Sequence, residues 1–215
     1  MTTTQLRIYN DALGHIGERM LASLSENVEA RRVLDQVWPT VLAYCLEHAH
    51  WKFAQRTSKI SYSPSIEPAF GHRRAFEKPT DMVKLSKLCA DEFFMLPLPG
   101  NAVVEENGFY FADIDEIYVS YVSNDTAYGS DYSLWPETFS LYVSLYLATR
   151  IYRRIKPTLD TSQILIDLRV AKEDAQAKDA VQGPTQFLPR GSWVGARRDG
   201  SYQGWDRGSR SSFYG

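Results

Sequence analysis

The stretch PETFSLYVSLYLATRIYRRIK, residues 136–156, decides the fold. Its apolar residues, including Phe139, Tyr142 and Ile151, recur at intervals of three and four, which is typical of a helix with one buried face. Pro136 suits the first turn of this helix, and the basic residues before Pro157 suit its last turn. We expect the aromatic stripe to be core, with some rings available to a neighbouring subunit.

Two helices are predicted before this stretch. Thr3 or Thr4 can cap the first, Gly14 and Gly17 mark its end and a turn, and its apolar face is Leu6, Tyr9, Leu13 and Ile16. The second is expected to open near Ser25, with Glu26 and Glu29 in its first turns. Its buried face is predicted to be Val33, Leu34, Val37, Val41, Leu42 and Cys45. Pro39 should bend or locally break it.

Between Arg56 and Asn124 the helical period disappears, and short alternating or β-branched stretches replace it. The predicted strands are Ile60–Tyr62, Met82–Leu88, Phe93–Pro97, Ala102–Val104, Gly108–Phe111 and Glu116–Val122. Asn107-Gly108 predicts a hairpin turn, because this pair readily adopts the positive φ angles of tight hairpins.

A fourth helix is predicted from about Asp160 to Ala180, with Ile164, Leu165, Leu168, Ala171 and Ala175 facing inward and Lys178 interrupting this stripe. The fold class is therefore α+β, mainly α: an antiparallel helix bundle with a small antiparallel β insertion and an extended C-terminal arm. The predicted units are helical half one (1–55), the insertion (56–129), helical half two (130–181, packed on 1–55) and the arm (182–215).

The composition favours an intracellular protein with one ordinary domain. The chain has 215 residues and a formal net charge of -2. Cys45 and Cys89 have no framework spacing, which indicates buried thiols in a reducing compartment. Residues 1–4 lead straight into an amphipathic pattern, so we expect no signal peptide, and no apolar run reaches the length of a membrane span.

The arm is Gly-rich and poor in aliphatic residues, so we expect it to be extended in the free protein. It has five arginines against two aspartates, which favours an acidic partner. Trp, Tyr and Arg contribute most at interface hot spots. The predicted partner-binding residues are Phe187, Arg190, Trp193, Arg197, Arg198, Tyr202, Trp205, Arg207, Arg210, Phe213 and Tyr214. Exposed aromatics at the end favour docking on a protein, although nucleic-acid binding through stacking and phosphate contacts stays open as an alternative.

Two clusters could carry chemistry, and we interpret both as surface features. His48 and His50 are two residues apart, so they do not face one another on a helix, and no further ligand lies at a recognised interval. Asp113 and Asp115 would share one side of a strand and could bind a divalent ion, but a solvated strand edge explains them better. The common catalytic motifs are absent, and we expect no enzyme activity, cofactor or metal.

Several segments together resemble the head-to-tail adaptor family of short-tailed bacteriophages, also called tail tubular protein A. They are residues 13–26 (LGHIGERMLASLSE), Glu29-Ala30-Arg31-Arg32, Trp51-Lys52-Phe53-Ala54 and Pro79-Thr80-Asp81. The last two are similar to the W-x-F-A and P-x-D elements of that family. The resemblance covers about residues 5–155 and fades after Lys156.

This resemblance implies a structural virion protein, assembled in the host cytoplasm and located at the tail and neck. The family forms a ring, typically a dodecamer, between the portal protein and the tail nozzle, which is similar to tail tubular protein B. DNA passes through the ring without sequence-specific contact, and no membrane is involved. The C-terminal extension docks on the portal, and the strand insertion faces the nozzle or neighbouring subunits.

Overall fold

The computed structural model describes residues 3–68, 70–158 and 160–182, and within them the protein is a mixed α+β fold. The helices are α1 (Gln5–His15), α2 (Glu29–Glu47), α3 (Glu137–Ile155) and α4 (Ser162–Val181). The strands are β1 (Gln55–Ser61), β2 (Arg74–Glu77), β3 (Met82–Cys89), β4 (Val104–Glu106), β5 (Phe109–Ala112) and β6 (Glu116–Ser123). No helix in this part of the chain is both long and apolar enough to cross a bilayer.

Helix α1 begins where its cap predicts. The Thr4 side chain accepts a hydrogen bond from the Arg7 N–H, and Tyr9 and Leu13 are fully buried. Gly14 does not end the helix, which continues to His15. Gly17, with φ of +67°, makes the turn that follows, a conformation glycine adopts without steric cost.

Helix α2 begins four residues later than the predicted Ser25. Its first residue is Glu29, and Val28 provides no side-chain cap. The Glu26 carboxylate is occupied in the preceding loop, where it accepts hydrogen bonds from the Ala22 N–H and the Arg19 guanidinium. These loop contacts outweigh the helix propensity of 25–28. The helix then continues through Pro39 without a break.

Helix α3 lies at the centre of the helical part, since α1, α2 and α4 all pack against it. Phe139 and Tyr142 are buried, as the aromatic stripe predicts. At the start of α3, the Glu137 carboxylate accepts two hydrogen bonds from the Arg7 guanidinium, each 2.8 Å long. This ion pair is at the surface; beneath it, buried residues of α1 and α3 belong to one apolar cluster.

Helix α4 turns a narrower face inward than its sequence predicts. Ile164, Ala171 and Ala175 are buried against the other helices. Leu165, predicted to face inward, is 53% exposed because it lies one residue outside that face.

The strands form two antiparallel three-stranded sheets, in the orders β1-β6-β3 and β2-β5-β4. The predicted hairpin is present between β4 and β5, with φ of 48° at Asn107 and 81° at Gly108. Strand β2 was not predicted. Residues 93–97 form a loop instead of the predicted strand, and the strand expected at 102–104 lies at Val104–Glu106.

Burial divides the apolar residues into two clusters. The larger unites the helices with Trp51 and Val122, and the smaller lies around Phe76, Tyr110 and Tyr121 in the strand region. Cys45 and Cys89 are free and buried, as predicted. Burial raises the pKa of the Cys45 thiol to about 12, so this thiol is neutral near pH 7.

Candidate interaction surfaces

The eleven predicted arm residues, Phe187 to Tyr214, lie outside the described residues. The structure does describe the contacts that hold α4, the helix that precedes them. Lys52 donates a backbone hydrogen bond to the buried Asp179 carboxylate, and its Nζ donates to the carbonyl oxygens of Asp179 and Ala180 at 2.6 and 2.8 Å. The cation thus satisfies carbonyl groups at the negative end of α4.

The W-x-F-A segment joins the two helical halves. The Trp51 indole donates to the Cys45 carbonyl oxygen at 2.9 Å, which fixes the chain as it leaves α2. The rings of Trp51 and Phe53 both pack against Phe139 on α3, with centroid distances of 4.7 and 4.8 Å. Such aromatic pairs add about 0.5–1.5 kcal/mol each beyond their buried area. This segment therefore packs the chain that follows α2 against α3.

The P-x-D segment ends in a hydrogen-bonded carboxylate. Asp81 accepts hydrogen bonds from the Arg56 guanidinium, the Tyr121 hydroxyl and the Ser123 hydroxyl. Burial raises the pKa of Asp81, but the hydrogen bonds from Ser123 and Arg56 outweigh it and hold this pKa below its ordinary value. Arg56 also bridges to Asp125 at 3.3 Å. The network connects β1 and β6 to Asp81, which immediately precedes β3, and to Asp125 in the loop after β6.

The two histidines that could have suggested a metal site have other partners. The His48 ring nitrogen Nδ1 lies 2.8 Å from the Tyr44 carbonyl oxygen, and His50 Nδ1 lies 2.9 Å from the Ser86 hydroxyl. Within residues 3–68, 70–158 and 160–182, no group of three His, Cys, Asp or Glu side chains could hold a metal ion.

The acidic pair is placed on a loop between β5 and β6 and not on a strand as predicted. Asp113 accepts from the Arg73 N–H at 2.9 Å, and that backbone hydrogen bond is the main cause of its lowered pKa. Asp115 pairs with the Arg74 guanidinium at 2.7 Å. Each carboxylate is thus bonded to a neighbouring basic segment at the surface.

An exposed apolar projection, which sequence analysis missed, follows β3. We name residues 90–98 the β3 loop. Phe93, Met95 and Leu96 are 75%, 77% and 63% exposed. Three large apolar side chains in one short exposed segment are unusual for a free surface and typical of an interface. The sequence analysis predicted a strand at Phe93–Pro97 and did not identify an exposed apolar surface there.

The β3 loop is held in shape by its own acidic residue. The Asp91 carboxylate accepts hydrogen bonds from the Met95 and Leu96 N–H groups at 3.0 and 2.7 Å. Phe94 has φ of 55°, a left-handed conformation that costs a bulky residue about 1–2 kcal/mol. Strained backbone is found mostly where function requires it. The loop therefore presents its apolar side chains in a preorganised form, which reduces the entropy lost on binding.

Helix α4 carries a second exposed apolar set. Leu165, Ile166 and Val170 are 53%, 57% and 60% exposed on its outer side. The Arg169–Glu173 ion pair on the same helix, 3.1 Å long, keeps part of this surface polar. Helix α4 thus offers a mixed surface of the kind found at interfaces between protein subunits.

No protein-family model matches the chain, and a search of the curated proteins found no match.

Proposed function

We propose that this protein is a head-to-tail adaptor of a short-tailed bacteriophage, a structural virion protein that forms a ring between the portal and the tail nozzle. In this proposal the helices form an antiparallel bundle that builds the ring, typically a dodecamer. Residues 182–215 extend as an arm that docks on the portal, and DNA passes through the ring without sequence-specific contact. No catalysis, cofactor or membrane is required.

The observation that carries the proposal is the place of the resembling segments in the fold. The W-x-F-A segment packs Trp51 and Phe53 on Phe139, and the P-x-D segment anchors the sheet through Asp81. Both segments lie between elements of a helix–strand–helix order, the first between α2 and β1 and the second before β3. Residues at such connections fix how neighbouring elements pack, so their agreement with the family pattern supports a shared architecture.

The exposed apolar side chains support assembly as the role of that architecture. A ring subunit needs two different surfaces, because head-to-tail contacts join one patch to another on the next copy. The β3 loop and the outer side of α4 are two separate apolar surfaces of one chain. Their exposure agrees with a protein that acts by binding other proteins.

Docking of the arm would then work through multiple contacts. One arm loses conformational entropy when it becomes ordered, so a single contact is weak. A ring presents several arms together, and each bound arm raises the effective concentration of the next. The ring would thus engage only a correctly assembled portal.

Cryo-electron microscopy of the protein mixed with its portal tests the proposal. The full chain is compared with a chain ending at Val181, which keeps the Lys52–Asp179 contact. We expect a ring on the portal with the full chain and none with the shortened chain. If the full chain does not bind the portal, the adaptor proposal is wrong. If the shortened chain still binds the portal, the arm is not the docking element.

A further inference from the structure

The outer face of the sheet β1-β6-β3 is a cationic surface to which no role has been assigned above. Strand β6 alternates, so that Ile117, Val119 and Tyr121 are buried while Tyr118 and Ser120 point to the other side. In the register, Ser120 pairs with Thr57 of β1 and with Lys87 of β3. One row of polar side chains therefore crosses all three strands.

A trough of about 400 Å³ lies on this face. Its lining combines basic, hydroxyl, amide and aromatic side chains: His50, Lys52, Gln55, Thr57, Ser86, Lys87, Phe94 and Ser120. None of the described residues that line it carries a carboxylate, although Asp and Glu outnumber Lys and Arg in the chain as a whole. Lys84 lies close enough to influence His50, and Lys59 continues the cationic surface beyond the trough. Glu116 is the acidic residue at that far end, and it is paired with Lys59 at 2.7 Å.

The polar side chains of the trough are already ordered. The Gln55 amide donates to the Ser86 hydroxyl oxygen at 2.8 Å, and the Ser120 hydroxyl donates to the Gln55 carbonyl oxygen at 3.0 Å. His50 Nδ1 lies 2.9 Å from the same Ser86 oxygen. When His50 and Gln55 both donate to this oxygen, the Ser86 O–H is directed elsewhere and can donate to an anion.

The two lysines that line the trough differ in the contacts that their ammonium groups make. The ammonium group of Lys52 is bonded to carbonyl oxygens at the end of α4, and its charge is partly offset there. Lys87 makes no ion pair among the described residues and is exposed. Lys87 is therefore the cation best placed to meet a ligand.

We propose that this trough binds a single nucleic-acid strand through its phosphate groups, with Phe94 available to stack on a base. The observations favour a nucleic acid over an acidic peptide. The described lining supplies Lys52 and Lys87 with hydroxyl and amide groups, and lysine is a common ligand of phosphate, which it binds as a point charge. Hydroxyl groups are common partners of phosphate oxygens, and an aromatic ring beside them suits an unpaired base.

The site is independent of the adaptor proposal, because it needs neither a ring nor the arm. A subunit that never assembles should still bind a strand on this face. The arginines of the arm can also contribute to nucleic-acid binding, so the test compares full-length variants that all carry the arm.

The first measurement is fluorescence anisotropy of a labelled 15-nucleotide oligothymidine with the full chain across a salt series. We expect Lys87→Gln to lower the magnitude of the slope of log K against log salt concentration by about 0.7, the value for one phosphate contact on a single strand. Phe94→Leu should weaken binding about tenfold with an unchanged slope. Arg169→Gln, a neutralised surface cation on α4, is the matched control and should leave both quantities unchanged. Equal slopes for Lys87→Gln and the unmodified chain would overturn the proposal.

The second measurement follows the His50 ring by NMR. Burial, and after it the charge of Lys84, lowers the pKa of His50 in the free protein. A bound phosphate should raise it, so binding should strengthen as pH falls. His15, which is half-buried beside Ser144, serves as an internal control and should not respond. An unmoved His50 with bound oligothymidine would overturn the proposal, and so would a polyglutamate peptide that shifts His50 where the oligothymidine does not.

Discussion

The backbone N–H of Lys52 lies 3.0 Å from a carboxylate oxygen of Asp179, although 127 residues separate them in the sequence. Asp179 is buried near the end of α4, and Lys52 also donates its ammonium group to carbonyl oxygens of that helix end. Lys52, five residues beyond the end of α2, thereby holds the end of α4, the last described helix. The position of the C-terminal end of α4 depends on this contact.

Replacing Asp179 with alanine should lower the free energy of unfolding by about 1–3 kcal/mol, because the Lys52 N–H loses its buried acceptor. Denaturant unfolding measures this loss. Asp174→Ala on the same helix is the control, since its pair with Lys178 is at the surface and should contribute under ~1 kcal/mol. If both substitutions lower the free energy of unfolding equally, the Lys52 contact stabilises the protein no more than a surface ion pair does.

Gly129→Ala should destabilise the protein by ~3 kcal/mol or more, because a Cβ at this position would lie 2.1 Å from the backbone oxygen of Ser123. The backbone has little room to move, since the Trp135 indole donates to the Gly129 carbonyl oxygen at 2.9 Å.

Gly14→Ala is the matched control for that change. Gly14 is helical and a Cβ there meets nothing within 4 Å, so alanine should stabilise by about 0.5–1 kcal/mol. Thermal unfolding should therefore give shifts of opposite sign. A shift of the same sign at both positions would mean that the close approach at Gly129 relaxes freely.

Asp81→Asn should lower stability at neutral pH by about 1.5–3 kcal/mol, because hydrogen bonds to the charged carboxylate are lost. The lowered pKa of Asp81 stabilises the native state above the ordinary aspartate pKa, and this stabilisation is lost as pH falls through the native value. The stability curves of the two proteins should therefore converge in acid. Unfolding titrations from pH 7 to pH 2 measure this, and a constant gap would exclude titration of Asp81 as the cause.

Phe93→Ser in the β3 loop should leave stability within ~0.5 kcal/mol, because its side chain is mostly exposed. If the β3 loop is an interface, the same change should weaken assembly, measured by sedimentation of the full chain with its partner proteins. Phe70→Ser is the control, because Phe70 is 94% exposed and lies outside the loop. Unchanged assembly by Phe93→Ser would remove the loop from the interface.

Trp193→Ala and Trp205→Ala should each weaken portal binding by about 2 kcal/mol per arm if these residues are hot-spot anchors. Aromatic docking should also depend little on salt, whereas phosphate binding weakens steeply as salt rises. Titration of each variant against the portal at two salt concentrations measures both effects. Binding that both variants retain in full would exclude these tryptophans from the site.

The periodicity of single segments was enough to predict much of the secondary structure. Phe139 and Tyr142 are buried on α3, and Asn107-Gly108 forms its hairpin. One error arose where side-chain contacts within a loop compete with helix propensity. Glu26 is held in a loop by Ala22 and Arg19, so α2 starts late.

The candidate surfaces were harder to predict from the sequence. The apolar run at 93–97 is compatible with a strand or a loop, and the hydrogen bonds to Asp91 distinguish the two. The cationic trough gave no local signal either, because its side chains come from separate strands and from the segment after α2. The predicted arm lies outside the described residues and stays a prediction.

The sequence by itself determined the order of the four helices and of most strands, because hydrophobic period, caps and turn residues act over a few neighbouring positions. It also determined that the two helical halves must share a core, since neither can bury its apolar face alone. Only the tertiary structure decided that Lys52 meets Asp179, that the β3 loop is exposed, and that Thr57, Ser120 and Lys87 share one face. Those relationships depend on strand register and helix packing, which arise from contacts between residues far apart in the chain.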